Sequence, residues 1–155
     1  MNLQSAQNLA YSLMNRHALL SKGWSFEFDN SVRRFGLCSY GRHTISLSRN
    51  LVVLNDESKV LDVILHEIAH ALVGGGHGHD AVWQAKCREI GARPERCYSL
   101  DEVETPKLRY VAVCGACKKE WQKHREPNKN RIASCSCQAG IPWDKRVLLK
   151  YVKRY

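Results

Sequence analysis

The sequence predicts an α+β fold with a small metal-stapled module at its C-terminal end, and three observations predict it. Apolar residues recur at helical spacing on both sides of a block of three short segments that alternate with period two. Two close cysteine pairs, Cys114/Cys117 and Cys135/Cys137, follow in the last third. Charge divides at the same place: residues 103–155 hold 13 of the 24 Lys/Arg and 4 of the 15 Asp/Glu, so the whole formal net charge of +9 sits there. At 155 residues the chain suits one ordinary domain with an appended module. With 44% hydrophobic and 25% charged residues, it does not have the composition of a disordered or fibrous protein.

The elements follow in order. Leu3, Leu9, Ala10, Leu13, Met14 and His17 predict a helix over 2–20, ended near Gly23. Trp24, Phe26 and Phe28 alternate with polar residues, Asp29-Asn30 offers turn chemistry, and 34–39 and 44–48 resume extended patterns. The expected arrangement is a three-stranded antiparallel meander. Asn55-Asp56-Glu57 supplies a cap and an acidic first turn for a second long helix, whose apolar stripe is Val60, Leu61, Ile64, Leu65, Ile68 and Leu72. Gly74-Gly75-Gly76 ends it. A third helix over 80–90 is closed by Gly91 and Pro94, and the first domain finishes near residue 102. Residues 103–155 form the second domain, with β-prone pieces from Tyr110, a turn at 127–130, and a final strand or helix over 146–155.

The second helix carries His66-Glu67-Ile68-Ala69-His70, a His-Glu-x-x-His pattern. Residues four apart share a helix face, so both imidazoles reach one ion. Glu67 is about 100° round the helix from His66, placed to take a proton from water on that ion without ligating it. Zinc lowers the pKa of bound water to roughly 7 and polarises a scissile carbonyl, so this pattern is one of hydrolytic chemistry.

A third ligand is required. His77, His79 and Glu89 are the candidates, and the longer metzincin pattern fails in register because Val73 and Gly76 stand where Gly and His are needed. The motif, a glycine-bearing loop, then Gly78-His79 with Trp83 four residues on resembles the SprT/Spartan metallopeptidases. Trp24 to Phe28, Phe35 to Cys38, Thr44 to Ser48 and the cysteine-pair module extend that resemblance over nearly the whole chain. It implies a minimal zincin-like metallopeptidase domain with His66, His70 and His79 as catalytic zinc ligands and Glu67 as the catalytic residue. Asp80 departs from the family's loop and is expected to cap the third helix.

Cys114, Cys117, Cys135 and Cys137 suit a closed tetrahedral structural zinc in a zinc ribbon. Cys38, Cys87 and Cys97 have no close partner in sequence and are expected to pack in the core. Lys118, Lys119, Lys123, Arg125, Lys129 and Arg131 crowd between the pairs with Trp121 among them, a composition suited to nucleic acid, single-stranded included. The resemblance points the same way, since Spartan-type members cleave DNA-attached proteins and are switched on by DNA. The expected protein is therefore a DNA-associated zinc endopeptidase with a protein substrate and two zincs. The second reading is a nucleic-acid-binding regulator with negligible cleavage. The N-terminal stretch lacks a basic start and an unbroken apolar run, and nothing approaches the roughly 20 apolar residues of a membrane span. A cytoplasmic, DNA-associated monomer with no membrane partner is expected, in a reducing compartment that favours thiolates.

Overall fold

A computed structural model describes residues 1–95, 103–128, 130 and 132–154. It divides into two compact units, Met1–Pro106 and Lys107–Tyr155. Among the described residues no helix is long and apolar enough to cross a membrane.

In the first unit, Asn2 caps α1 (Leu3–Arg16) by accepting from the Ser5 N–H at 2.7 Å. Its buried face is Ala6, Ala10, Leu13 and Met14, whose two alanines allow close packing. The helix stops at Arg16, short of the expected residue 20, and a 3-10 turn over Leu20–Lys22 leads to Gly23 in the left-handed region. Three strands follow, β1 (Ser25–Asp29), β2 (Gly36–Ser39) and β3 (Thr44–Ser48). A short helix that the sequence did not signal, α2 (Arg49–Leu54), is capped by the Ser48 hydroxyl. Next come α3 (Glu57–Val73), capped by Asp56, and α4 (Ala81–Ile90), capped by Asp80 and closed by Gly91 in the left-handed region. α3 buries Val60, Val63, Ile64, Leu65, Ile68 and Ala69 in a single core with α1, α4 and the sheet.

The antiparallel meander is corrected. The strand order is β1-β3-β2, with β1 parallel to β3 and β2 antiparallel to it. A meander would put β2 in the middle; here β3 takes that place and is buried at every position. The cause lies in the 30–35 loop, which is bonded across the end of β3 rather than folding back on β1. Asp29 accepts from the Ser31 N–H at 2.8 Å, from Arg34 at 2.7 Å and from the Ser46 hydroxyl at 2.9 Å. The Ser48 hydroxyl donates to the Ser31 carbonyl at 2.6 Å, and the Ser48 N–H to the Phe35 carbonyl at 2.8 Å. These bonds carry the chain over β3 to its far edge.

The second unit is a three-stranded sheet in the order β5-β4-β6, formed by β4 (Tyr110–Val113), β5 (Glu120–Lys123) and β6 (Val152–Lys153), antiparallel throughout. The expected regular element over 146–155 reduces to the two residues of β6 and a bridge between Ser134 and Leu148, with Tyr155 outside the described residues. Gln138, buried, ties the strand-poor part together by bonding both the N–H and the carbonyl of Val147 at 2.7 and 3.0 Å.

Asp29→Ala removes three acceptor interactions at once and is expected to lower the stability of the first unit by about 1–3 kcal/mol. A urea titration checks it; an unchanged midpoint would show that the crossing loop does not depend on Asp29.

Candidate metal centre

His66 and His70 are presented on one face of α3 by their four-residue spacing. His79 arrives from the segment before α4, where Asp80 accepts from the Trp83 N–H at 3.0 Å and Gln84 donates to the His79 carbonyl at 3.3 Å. The His79 Nε2 lies 3.3 Å from that of His70 and 3.2 Å from that of His66. Each residue offers one ligand atom, and the three atoms lie within 4.8 Å of one another. Trp83, wholly buried, packs on all three rings, stacked on His70 and edge-on to His66 and His79.

Burial, and then the nearby His70 and His79, push the His66 imidazole down to about 3; burial and His79 push His70 down to about 4. Both are neutral at pH 7, so each ring keeps one unprotonated nitrogen, the state that metal ligation needs. The donor set therefore fits a divalent ion, with imidazole nitrogens of the kind zinc takes. His77 and Glu89, the other candidates, are not in this group: His77 Nδ1 is 2.9 Å from Asp80, and Glu89 is 2.6 Å from Lys86.

Glu67 follows His66 on α3 and is 7% exposed. Burial pushes its carboxyl up to about 7, against the opposing pull of the Cys38 backbone N–H and the Arg34 charge. A carboxyl poised near neutrality beside the imidazoles can accept a proton and return it. Gly36 makes this possible sterically. A Cβ there would come within 2.6 Å of Glu67 Oε1 and 2.8 Å of Val63 Cγ1, so the bare β2 backbone packs on the carboxyl. Cys38 is held protonated, its thiol pushed up to about 12 by burial and by Glu67. Sequence reasoning missed Gly36 and Tyr40, whose hydroxyl donates to the His70 carbonyl at 3.3 Å. A glycine inside a strand pattern was the one available signal. A cavity of about 690 Å³ opens onto His66, Glu67, His70, His77, His79 and the β2 edge.

In the second unit Cys114, Cys117, Cys135 and Cys137 bring their sulfurs within 4.8 Å of one another. Cys114 and Cys137 are 3.7 Å apart, and Cys117 and Cys135 3.6 Å, far beyond a disulfide. Four sulfurs about 2.3 Å from a tetrahedral zinc would sit about 3.8 Å apart, so the spacing fits a metal. The Cys137 backbone N–H holds the Cys135 thiol down to about 6, helped by the Trp121 indole, which donates to its sulfur at 3.3 Å. Lys119 lies over the Trp121 ring at 5.1 Å and Lys123 over Tyr151 at 4.5 Å, while Lys118 and Arg125 are exposed. Cys87 is buried in the core of the first unit. Cys97, Lys129 and Arg131 lie outside the described residues.

A three-histidine group with a buried glutamate in one α+β unit and a four-cysteine group in the other define a protein of two units, each with side chains that could hold a metal ion. The chain belongs to the SprT-like family, whose model matches residues 6–103. It is 31% identical over 103 residues to Protein SprT-like of Bacillus velezensis, covering 64% of this chain and 68% of that one. It is 25% identical over 103 residues to Protein SprT-like of Staphylococcus saprophyticus, covering 64% and 66% respectively. The matched region thus spans about two thirds of these relatives.

Two outcomes are expected. His79→Ala loses one equivalent of bound metal by elemental analysis whereas His77→Ala retains it, and equal retention in both would move the third ligand elsewhere. Burial of Glu67 penalises its charged form, so the penalty is absent below 4.5, the ordinary value of the exposed group in the unfolded chain, and grows as pH rises from there through about 7. Metal-free Glu67→Gln should therefore exceed metal-free wild type by up to about 3 kcal/mol at alkaline pH, with the gap closing as pH falls towards 4.5. Urea midpoints across pH check this; a pH-independent gap would contradict it.

Proposed function

We propose that the first unit is a zinc-dependent endopeptidase acting on DNA-associated proteins, and that the basic second unit contacts DNA and stimulates cleavage. The observation that carries the first part is the convergence of three imidazoles, His66 and His70 neutral at pH 7, with a buried Glu67 whose carboxyl is pushed up to about 7, at a cavity edged by β2. His66, His70 and His79 would hold a zinc ion, which would supply the Lewis acidity for polarising a peptide carbonyl and acidifying water. Glu67 takes the proton from the attacking water and passes it to the leaving amine.

The strand edge supports a peptide substrate. The Phe35 carbonyl faces β3, where it accepts from Ser48, whereas the Cys38 N–H faces Glu67. Alternate residues of an antiparallel strand direct their backbone groups to opposite edges, so Gly36 and Cys38 turn theirs away from β3. An extended peptide can add to that edge alongside the three histidines. For DNA, the support is the positive excess of residues 103–155 together with Lys118, Lys119, Lys123, Arg125 and Trp121 on a four-cysteine unit that a second zinc would hold closed. Lys129 and Arg131 join them on sequence grounds alone. On this reading the protein works in a reducing compartment, the cytoplasm, at the nucleoid.

Glu67→Ala should cut casein cleavage by at least about 100-fold. Metal content and single-stranded DNA binding are retained, and DNA affinity falls steeply with salt in both proteins. Unchanged cleavage would remove the peptidase role and leave a nucleic-acid-binding protein; binding that is flat with salt would remove the electrostatic DNA contact.

A further inference from the structure

The cavity lining is chemically mixed, with His70, His77, His79 and Tyr40 on one hand and Phe35, Leu51, Val63 and Val103 on the other. On α3 the order is Val63, Glu67, His70, so along the helix the apolar end lies before Glu67 and the histidine end after it, where the Tyr40 hydroxyl also bonds the His70 carbonyl. Val63 is one turn before Glu67 on the same face of α3, roughly 6 Å along the axis, the span of about two residues of extended peptide. Leu51 and Val63 are each 2% exposed and Phe35 9%, so the apolar end is set into the core.

This end is also held in shape. Asn55, buried at the end of α2, donates to the Leu51 carbonyl at 2.8 Å and to the Glu104 carbonyl at 2.9 Å. It accepts from the Glu104 N–H at 2.9 Å. One side chain thereby fixes both the α2 wall and the segment carrying Val103 and Thr105. Among the described residues the lining here brings no charge inward apart from Glu67. Arg33 and Arg34 are at the exposed rim, and Arg34 is paired with Asp29 at 2.7 Å.

We infer that this apolar end is a specificity subsite that takes a large aliphatic or aromatic side chain of the peptide, borne by a residue within two positions of the scissile bond. The inference rests on the peptidase reading. A peptide lying along the β2 edge with its carbonyl at the three histidines sends one side chain past Glu67 into this end. A preformed apolar pocket of this kind favours leucine or phenylalanine over alanine, and a charged side chain would lose its water there without a partner.

The test uses full-length zinc-loaded protein and a panel of otherwise identical octapeptides carrying Gly, Ala, Leu, Phe, Asp or Lys at each position in turn. Leu and Phe at one fixed position near the cut should raise kcat/KM at least about 10-fold over Ala, with Asp and Lys below Ala. Val103→Trp, which fills the end from the segment beside it, should abolish that advantage while the Ala peptide is still cut. Binding of the same panel to Glu67→Gln, followed by fluorescence polarisation, should give the same ranking without cleavage. Cleavage with no ranking overturns the subsite and leaves the peptidase standing. A binding ranking with no cleavage by wild type overturns the peptidase and keeps the subsite, and the absence of both overturns both.

Discussion

The packing of a bare strand backbone against a buried carboxyl governs this site. α3 is covered by α1, α4 and the sheet, and the only acid it buries is Glu67. Because Gly36 brings no side chain, β2 closes directly on that carboxyl, and the Cys38 N–H becomes its nearest donor. One backbone donor and the Arg34 charge do not replace the lost water, so the carboxyl titrates near 7 rather than at 4.5. The same approach sets the strand edge beside His66 and His70 and fixes the width of the cavity.

Much of the helical frame was legible in the sequence because its signals are local. Asp56, Asp80 and Gly91 do what their residue types do at helix ends, and the four-residue spacing of His66 and His70 puts both on one face whatever the remainder does. Strand neighbours are not local. Alternation marks a strand without saying which strand lies beside it or what covers its polar face. The hydroxyls of Thr44, Ser46 and Ser48 are buried and bonded, Thr44 to Ser25 and the Arg42 carbonyl, Ser46 to Asp29, and Ser48 to the Ser31 carbonyl. α2 escaped because six residues with a run of four apolar ones fit a strand as well as a helix.

The site was legible in part for the same reason. Spacing alone left His77, His79 and Glu89 open as the third member of the histidine group, and only the resemblance favoured His79. The grouping appears only in the folded chain, where His79 stands with His66 and His70 while His77 lies against Asp80 and Glu89 against Lys86, neighbours that no period reveals. The cavity was illegible because its walls come from β2, α2, α3 and the 103–105 segment, which nothing in the sequence ties together. Asn55 illustrates the difficulty. It reads as a helix-cap residue, but its amide bonds a backbone 49 residues away.

The two metal-binding groups meet protons differently. His66 and His70 have already shed theirs at neutral pH, so loading that centre displaces few. The four thiols crowd one another. Cys135 is held down while Cys137, whose thiol donates to the Cys117 and Cys135 sulfurs, is pushed up to about 12, so the group cannot fully ionise without a cation, and a divalent ion must expel protons to bind. Four thiolates around such an ion carry two net negative charges, leaving about +7 of the +9 in residues 103–155. The N–H bonds of Trp121 and Gln138 to sulfur offset part of that charge, and Lys118 and Lys119, next in sequence to Cys117, lie where they offset more. Some of the basic character of this unit therefore serves its own centre, and the remainder is what faces outward.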